Sequence, residues 1–325
     1  MREAEVIKRL RRIATAPGAR GLLDDVAMLE NFVVTHDTIA EGVHFLPSDP
    51  PASVGWKLVA VNLSDLAAKG ATPAGALLSL TISGESGWED AFLGGVEAAC
   101  ESYGLPLLGG DTIALPAGAP RVLGLTAIGR AGAHVPDRAG AKAGDGLWLV
   151  GTIGDAATGL ALLRDNPKAD GPLVDIYRRP IPQLGAGETL APHAHAMMDV
   201  SDGLLLDARR MALASRCSIQ IDLDTLPLSG AFVAERGQDL AARLFAATGG
   251  DDYALIAALP PNVDPETLSL PSRTRISRIG SFAAGELPLS LTSGGETIKL
   301  PETLGFEHQG SDDRGLSNPP VADRP

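Results

Sequence analysis

The stretch VNLSDLAAKGATP, residues 61–73, sets the problem. Leu63, Leu66 and Ala67 surround Asp65 in the pattern of a buried helix face, with Gly70 as the stop and Pro73 beyond it. A lone carboxylate on such a face is costly unless something positive meets it. The helix extends over 51–70, and along it Asn62, Asp65 and Lys69 stand at i, i+3 and i+7, on one side. The question is what Asp65 meets.

The chain has 325 residues, enough for two domains of ordinary size. Its hydrophobic fraction of 45% is that of a globular protein, and 38 glycines announce many tight turns or ligand-hugging loops. Cys100 and Cys217 match no metal or redox spacing, which points to a reducing, cytoplasmic setting. The start, MREAEVIKRLRRIATA, reads as an amphipathic helix with Val6, Leu10 and Ile13 on one side, and not as a signal peptide. No apolar run approaches the roughly 18 residues of a membrane span. A net charge of −13 argues against nucleic acid as a partner.

Strands are expected over 25–30 and 31–37, 76–83, 105–111 (as a buried strand) and 121–130, with a helix over 87–104. The Gly- and Ala-rich segment 131–146 marks a boundary. It separates a unit over 1–137 from one over 138–308, followed by a disordered polar tail, 309–325. The second unit opens with a strand, the loop TIGD and a helix over 146–163. It continues with strand, turn and helix over 195–215, and helix, turn and strand over 244–259. This alternation indicates an α/β or mixed α+β fold. NLSDL (62–66) and DVSDG (199–203) are each followed by GGD, at 109–111 and 249–251, a faint internal echo.

Asp24, Asp25, Asp37, Asp65, Asp111, Asp199, Asp202, Asp251 and Asp252 fall at strand ends, glycine turns or helix starts. Singly, each reads as a cap or a solvated turn residue; Asp202, just before an apolar-periodic helix, reads as an N-cap. Together they read differently, because strand ends carrying acid beside glycine are where α/β proteins build ligand sites. Two carboxylates about 4 Å apart repel by roughly 4 kcal/mol at an effective dielectric near 20, so several converge only around cations. All-oxygen ligation suits Mg²⁺, which is completed by substrate phosphates; an acidic site binding nucleotide through magnesium follows. Gly109 and Gly110 would let the backbone near Asp111 approach a phosphate. GTIGD (151–155) has the shape of an anion loop but reads more simply as a turn, and HAH (193–195) as a plain loop, since no third ligand is near. Ser201 sits in no GxSxG elbow.

The ordered blocks LDDVAML (23–29), THDTIAEGVHF (35–45), VNLSDLAAKGA (61–71), GGDT (109–112), DRAGAKAGD (137–145), DVSDGLLLD (199–207) and GGDDY (249–253) resemble the thiamine-monophosphate kinase family. This family belongs to the aminoimidazole ribonucleotide synthetase (PurM-like) superfamily, and the resemblance runs over about 20–307. It implies a two-domain PurM-like fold, an N-terminal mixed-sheet domain for ATP, Mg²⁺ and dimerisation plus a C-terminal α/β sandwich domain, in a homodimer. It implies direct in-line transfer of the γ-phosphoryl group of ATP to thiamine monophosphate, with several Mg²⁺ ions and no general base. By motif, Asp24, Thr35, Asp37, Asp65, Asp111, Asp199 and Asp202 would hold metal. Gly110, Asp111, Arg138 and Ser201 would contact ATP, and His44, Asp251 and Phe306 thiamine phosphate. Asp65 would then meet magnesium.

The sequence departs from the family at Leu23 (Gly there), His36 (Thr), Asp251 (Glu) and Ala254 (an acid). Asp251 reaches one methylene less than a glutamate would. Sister enzymes that use a reactive cysteine near either end do not match, which leaves aminoimidazole ribonucleotide synthetase, or a non-catalytic Mg-nucleotide binder, as the alternatives.

Overall fold

Two mixed sheets form, and one long helix lies between them. The computed structural model describes residues 3–116 and 118–307, so the expected tail at 309–325 lies outside the described residues. The first sheet holds β1 (Ala27–Leu29), β2 (Phe32–Ala40), β3 (Thr72–Ile82), β4 (Leu107–Ala114) and β5 (Val122–Arg130), in the order β1-β2-β5-β3-β4. β3 and β4 run parallel, and the other neighbours antiparallel. Helices α1 (Glu3–Leu10), α2 (Pro51–Ala68) and α3 (Ser86–Tyr103) belong to this half.

The second sheet comprises β6 (Gly146–Val150), β7 (Ala196–Val200), β8 (Ser218–Asp222), β9 (Ala254–Leu259), β10 (Ile276–Ala283), β11 (Leu289–Ser293) and β12 (Glu296–Ile298). Their order is β12-β11-β8-β10-β6-β9-β7. Six helices accompany it: α4 (Asp155–Asp165), α5 (Pro172–Arg178), α6 (Leu184–Leu190), α7 (Leu204–Ser215), α8 (Gly230–Arg236) and α9 (Leu240–Thr248). Mixed sheets with helices packed on them match the α/β reading of the sequence.

α2 is buried without a break from Lys57 to Ala68. Leu58, Leu63 and Leu66 pack with Leu123, Leu125 and Ala127 of β5, while Ala67 and Ala68 pack with Met197 of β7 and Leu255 of β9. One helix therefore serves both cores. It starts on Pro51, whose missing N–H costs nothing at that position. It ends in a Schellman motif: the Gly70 N–H donates to Ala67 O and the Ala71 N–H to Leu66 O, with Gly70 at φ 59.

Two expectations need correction. The strand over 105–111 is β4, exposed along its whole length, because it is an edge strand with a neighbour on one side only. β3 begins at Thr72 and takes in Pro73, whose ring is tolerated beside a register shift between Pro73 and Gly75. The expected N-terminal helix forms over Glu3–Leu10, with Val6 and Leu10 exposed on it and Ile13 exposed beyond it.

Where α3 crosses α2, a Cβ on Gly95 would lie 1.9 Å from the Ala52 carbonyl oxygen, whereas one on Gly94 meets nothing within 4 Å. Gly95→Ala should therefore cost about 1–3 kcal/mol through overpacking, and Gly94→Ala should be neutral or gain up to about 1 kcal/mol of helix propensity. Paired chemical denaturation of the two variants checks this.

Candidate active site

The polar side of α2 is read off its spacing. Asn62 donates to the Leu58 carbonyl (2.9 Å) and accepts the backbone N–H of Asp37 (3.0 Å), which fixes β2 against the helix. One turn on, the Asp65 carboxylate accepts the hydroxyl of Thr35 from the same strand. One turn further, the buried Lys69 ammonium donates to Asp24 (2.6 Å) and to the Met197 carbonyl of β7 (3.1 Å). Three residues of one helix face thus reach both halves of the molecule.

Asp65 meets carboxylates. Ligand oxygens of Asp25, Asp65 and Asp199 all lie within 4.8 Å of one another. They come from the loop before β1, from α2 and from the end of β7. Ser64, beside Asp65 on α2, donates to Asp199 at 2.7 Å. Burial, followed by Asp37, Asp199 and Asp25, pushes the Asp65 carboxyl well above the usual carboxylate range. Burial and Asp25 do the same to Asp199. Asp37 is raised to about 6, by burial and then by Asp25 and Asp202. Asp25 Oδ2 is buried with no hydrogen-bond partner, while its other oxygen is paired with Arg138. Buried acids facing one another, with an orphaned oxygen among them, offer a set of donors that could hold a cation.

Around this centre, other acids already carry cations. Although burial acts to raise it, Lys69 and Arg20 hold the Asp24 carboxyl below its ordinary value. Of the DD pair, it is therefore Asp25 that faces the cluster, where the family motif points to Asp24. Asp202 pairs with Arg210, which also holds the buried Asp207, and burial with Asp202 nearby raises Asp207 to about 7. The N-cap reading of Asp202 fails: Gly203 is the N-cap of α7, and the Asp202 N–H donates to Asp207 instead.

Asp111 stands apart within one chain. Register places Asp111 in a row with Ser79, Gly124 and Thr38, and Asp37 in the adjacent row with Leu125, Leu78 and Gly110. Adjacent rows point to opposite faces, so Asp111 stands on the exposed face of the sheet, away from α2. Gly110, at φ 156, is required by the β3–β4 approach: a Cβ there would lie 1.9 Å from the Leu78 carbonyl oxygen.

The second group of expected residues gathers around the GGDDY turn. Its backbone is tied to DVSDG: the Asp251 N–H donates to Ser201 O (2.8 Å) and the Tyr253 N–H to Val200 O (2.9 Å). Asp251 and Tyr253 both adopt positive φ, 68° and 50°, strain of the kind that concentrates at functional sites. Asp251 Oδ2 accepts from Lys57 (2.8 Å), and the same ammonium reaches the His44 carbonyl (3.0 Å). The Phe306 N–H donates to Asp202 O (2.8 Å), so the described C-terminal end lies against the acid site.

The family departures have local accounts. Leu23 has an ordinary φ of −107°, so no glycine is needed there. His36 faces away and bonds Thr126 (2.9 Å), leaving Thr35 as the hydroxyl at Asp65. The donors of the GTIGD turn go to a protein anion: Asp252 accepts the N–H of Gly154 (2.8 Å) at the start of α4, which bears out the plain-turn reading. His195, just before β7, pairs with Asp145 (2.9 Å) in the turn before β6.

Comparison with known proteins agrees with this geometry. Residues 23–131 match the N-terminal domain, and residues 142–287 the C-terminal domain, of the AIR synthase related protein family. The chain is 36% identical to the thiamine-monophosphate kinase of Caulobacter vibrioides, over 94% of this chain and 90% of that protein. It is also 36% identical to that of Escherichia coli K12, over 89% and 91%. A solved structure described as AaThiL complexed with AMPPCP and TMP superposes with a TM-score of 0.82 at 29% identity, covering 95% of this chain and 97% of that one. With its acid cluster at the junction of two such domains, the chain belongs to the thiamine-monophosphate kinase family.

Proposed function

We propose that this protein phosphorylates thiamine monophosphate with ATP to give thiamine diphosphate, at a magnesium site built on Asp25, Asp65 and Asp199. The observation that carries it is the convergence of these three carboxylates within 4.8 Å, with Asp25 Oδ2 left unpaired. Hard, all-oxygen donors in this arrangement fit Mg²⁺. Asp25, Asp65 and Asp199 would hold the magnesium, which would supply neutralisation of phosphate charge, the main demand of phosphoryl transfer.

The protein's own groups divide the remaining work. Thr35, Asp37 and Asp202 line the acid centre, while Asp24, expected as a ligand, steadies it through Lys69 and Arg20. Arg138 and Ser201 face the nucleotide side; Gly110 and Asp111, on β4, would reach a nucleotide only from the other subunit of a dimer, since Asp111 is turned away from the cluster within one chain. His44, Asp251 and Phe306 bind the acceptor, a carboxylate suiting its amine-bearing ring. The acceptor oxygen is already ionised at neutral pH, so no base is needed. The 137/138 division into an ATP- and Mg-binding half and a C-terminal half belongs to this reading, as does a cytoplasmic location. No helix among the described residues is long and apolar enough to cross a membrane, and both cysteines are free. A homodimer joined through β4 completes the reading: Leu107, Leu108 and Ile113 are exposed along that edge strand. Ile113→Lys should shift the sedimentation mass from dimer to monomer; an unchanged dimer would place the interface elsewhere.

Incubation with ATP, MgCl₂ and thiamine monophosphate, followed by chromatography, should yield ADP and thiamine diphosphate. Absence of thiamine diphosphate would refute the activity. Stability supplies a separate check. Asp37, Asp65 and Asp199 titrate above their ordinary value of 3.8 in the folded state. Their contribution is full below that value and is lost as pH rises through the raised folded-state values. In chelator, the melting temperature should therefore fall as pH rises from about 4 through 6, the value to which Asp37 is raised. Saturating Mg²⁺ should remove most of that fall, and Asp65→Asn should flatten it while abolishing the Mg²⁺ effect. Equal slopes with and without Mg²⁺ would contradict the metal assignment.

A further inference from the structure

Lys57 is a cation in the wrong company for a buried helix. It is 2% exposed, and only four of its side-chain carbons favour that environment. Burying an ammonium is expensive unless its hydrogen-bonding capacity is met. Here it is met by two residues from different halves of the molecule. Nζ lies 2.8 Å from Asp251 Oδ2, in the GGDDY turn of the second sheet, and 3.0 Å from the His44 carbonyl, just after β2 of the first. The Tyr177 ring of α5 closes the third side, 4.2 Å from Nζ. Tyr177 is itself held through its hydroxyl to Asp49 (3.2 Å), which also pairs with Arg178 (3.0 Å) and accepts the Leu46 N–H (2.8 Å).

The Asp251 carboxylate is thereby gripped at both oxygens, Oδ2 by Lys57 and Oδ1 by the Tyr253 hydroxyl (3.1 Å). It remains one-quarter exposed, so lone pairs are left for a ligand. A carboxylate in a positive-φ turn, on a side chain one methylene shorter than glutamate, needs such a brace to present a fixed geometry. A purely structural ion pair would be indifferent to which substrate is bound.

We propose that Lys57 is a positioning residue for acceptor recognition: its ammonium fixes the Asp251 carboxylate and the His44 main chain relative to each other. The acceptor selected is one that carries a hydrogen-bond-donating, amine-bearing heterocycle. This rests on the kinase reading above and deepens it. Lys57 acts through Asp251, so removing either should impair acceptor binding, and removing both should do little more.

The test is steady-state kinetics in both substrates for the wild type, Lys57→Met, Asp251→Asn and the double variant, with melting temperatures alongside. Lys57→Met alone leaves Asp251 without its counter-charge; the double variant removes both charges and keeps the experiment readable if that single variant folds poorly. Each single change should raise KM for thiamine monophosphate about tenfold and leave KM for ATP within about twofold, and the double variant should match the weaker single. Multiplying effects in the double variant, or equal losses for both substrates, would overturn the role of Lys57 and leave the kinase reading intact. A wild type that consumes no thiamine monophosphate would overturn both.

Discussion

Mutual repulsion among Asp25, Asp65 and Asp199 is the constraint on which the rest of the structure depends. At an effective dielectric near 20, two charges about 4 Å apart cost roughly 4 kcal/mol, a large share of the stability of any domain. The chain tolerates them because everything around them is fixed. Lys69 and Arg20 neutralise Asp24, Arg138 takes one oxygen of Asp25, and Arg210 holds Asp202 and Asp207. No ion pair to Asp37, Asp65 or Asp199 occurs among the described residues. The basic side chains stop at the rim, and a place for an added cation is left at the centre.

α2 is how the fold meets this constraint. A helix buried from Lys57 to Ala68 has no solvent there to receive a polar residue, so the polar residues of that stretch are matched to partners. Asn62 takes a β2 amide, Ser64 takes Asp199, Lys69 takes Asp24 and Met197, and Lys57 takes Asp251 and His44. These contacts draw the first sheet, the edge strand β7 of the second and the GGDDY turn onto one axis. The acid cluster and the contact that joins Asp251 to His44 therefore lie along a single rigid element, which suits a reaction that asks mainly for positioning.

Much of this was legible in the sequence because it is local. The Gly70 stop, the i, i+3, i+7 spacing of Asn62, Asp65 and Lys69, and the acids at strand ends all follow from helix and turn geometry. What was not legible depends on partners distant in the chain. Nothing in DD distinguishes Asp24 from Asp25 until Lys69 and Arg20 claim the first. Lys57 reads as one more residue of an apolar helix until the turn 194 positions later is folded against it; a charge at an otherwise buried helical position was the available signal. The apolar run in β4 suggested burial, but its place at the edge of the sheet leaves it exposed, and only register shows that Asp111 stands on the face opposite Asp37. Asp202 looked like a cap because helix starts favour aspartate, yet Arg210, two turns along α7, outcompetes the backbone donors.

The central claim is that the three carboxylates are a metal site. It is tested most directly by crystals grown with Mn²⁺ and a non-hydrolysable ATP analogue, with data collected at the manganese absorption edge. The account predicts an anomalous peak within coordination distance, about 2.0–2.4 Å, of oxygens from Asp25, Asp65 and Asp199. Manganese bound elsewhere, with these three carboxylates in contact only with one another, would contradict it.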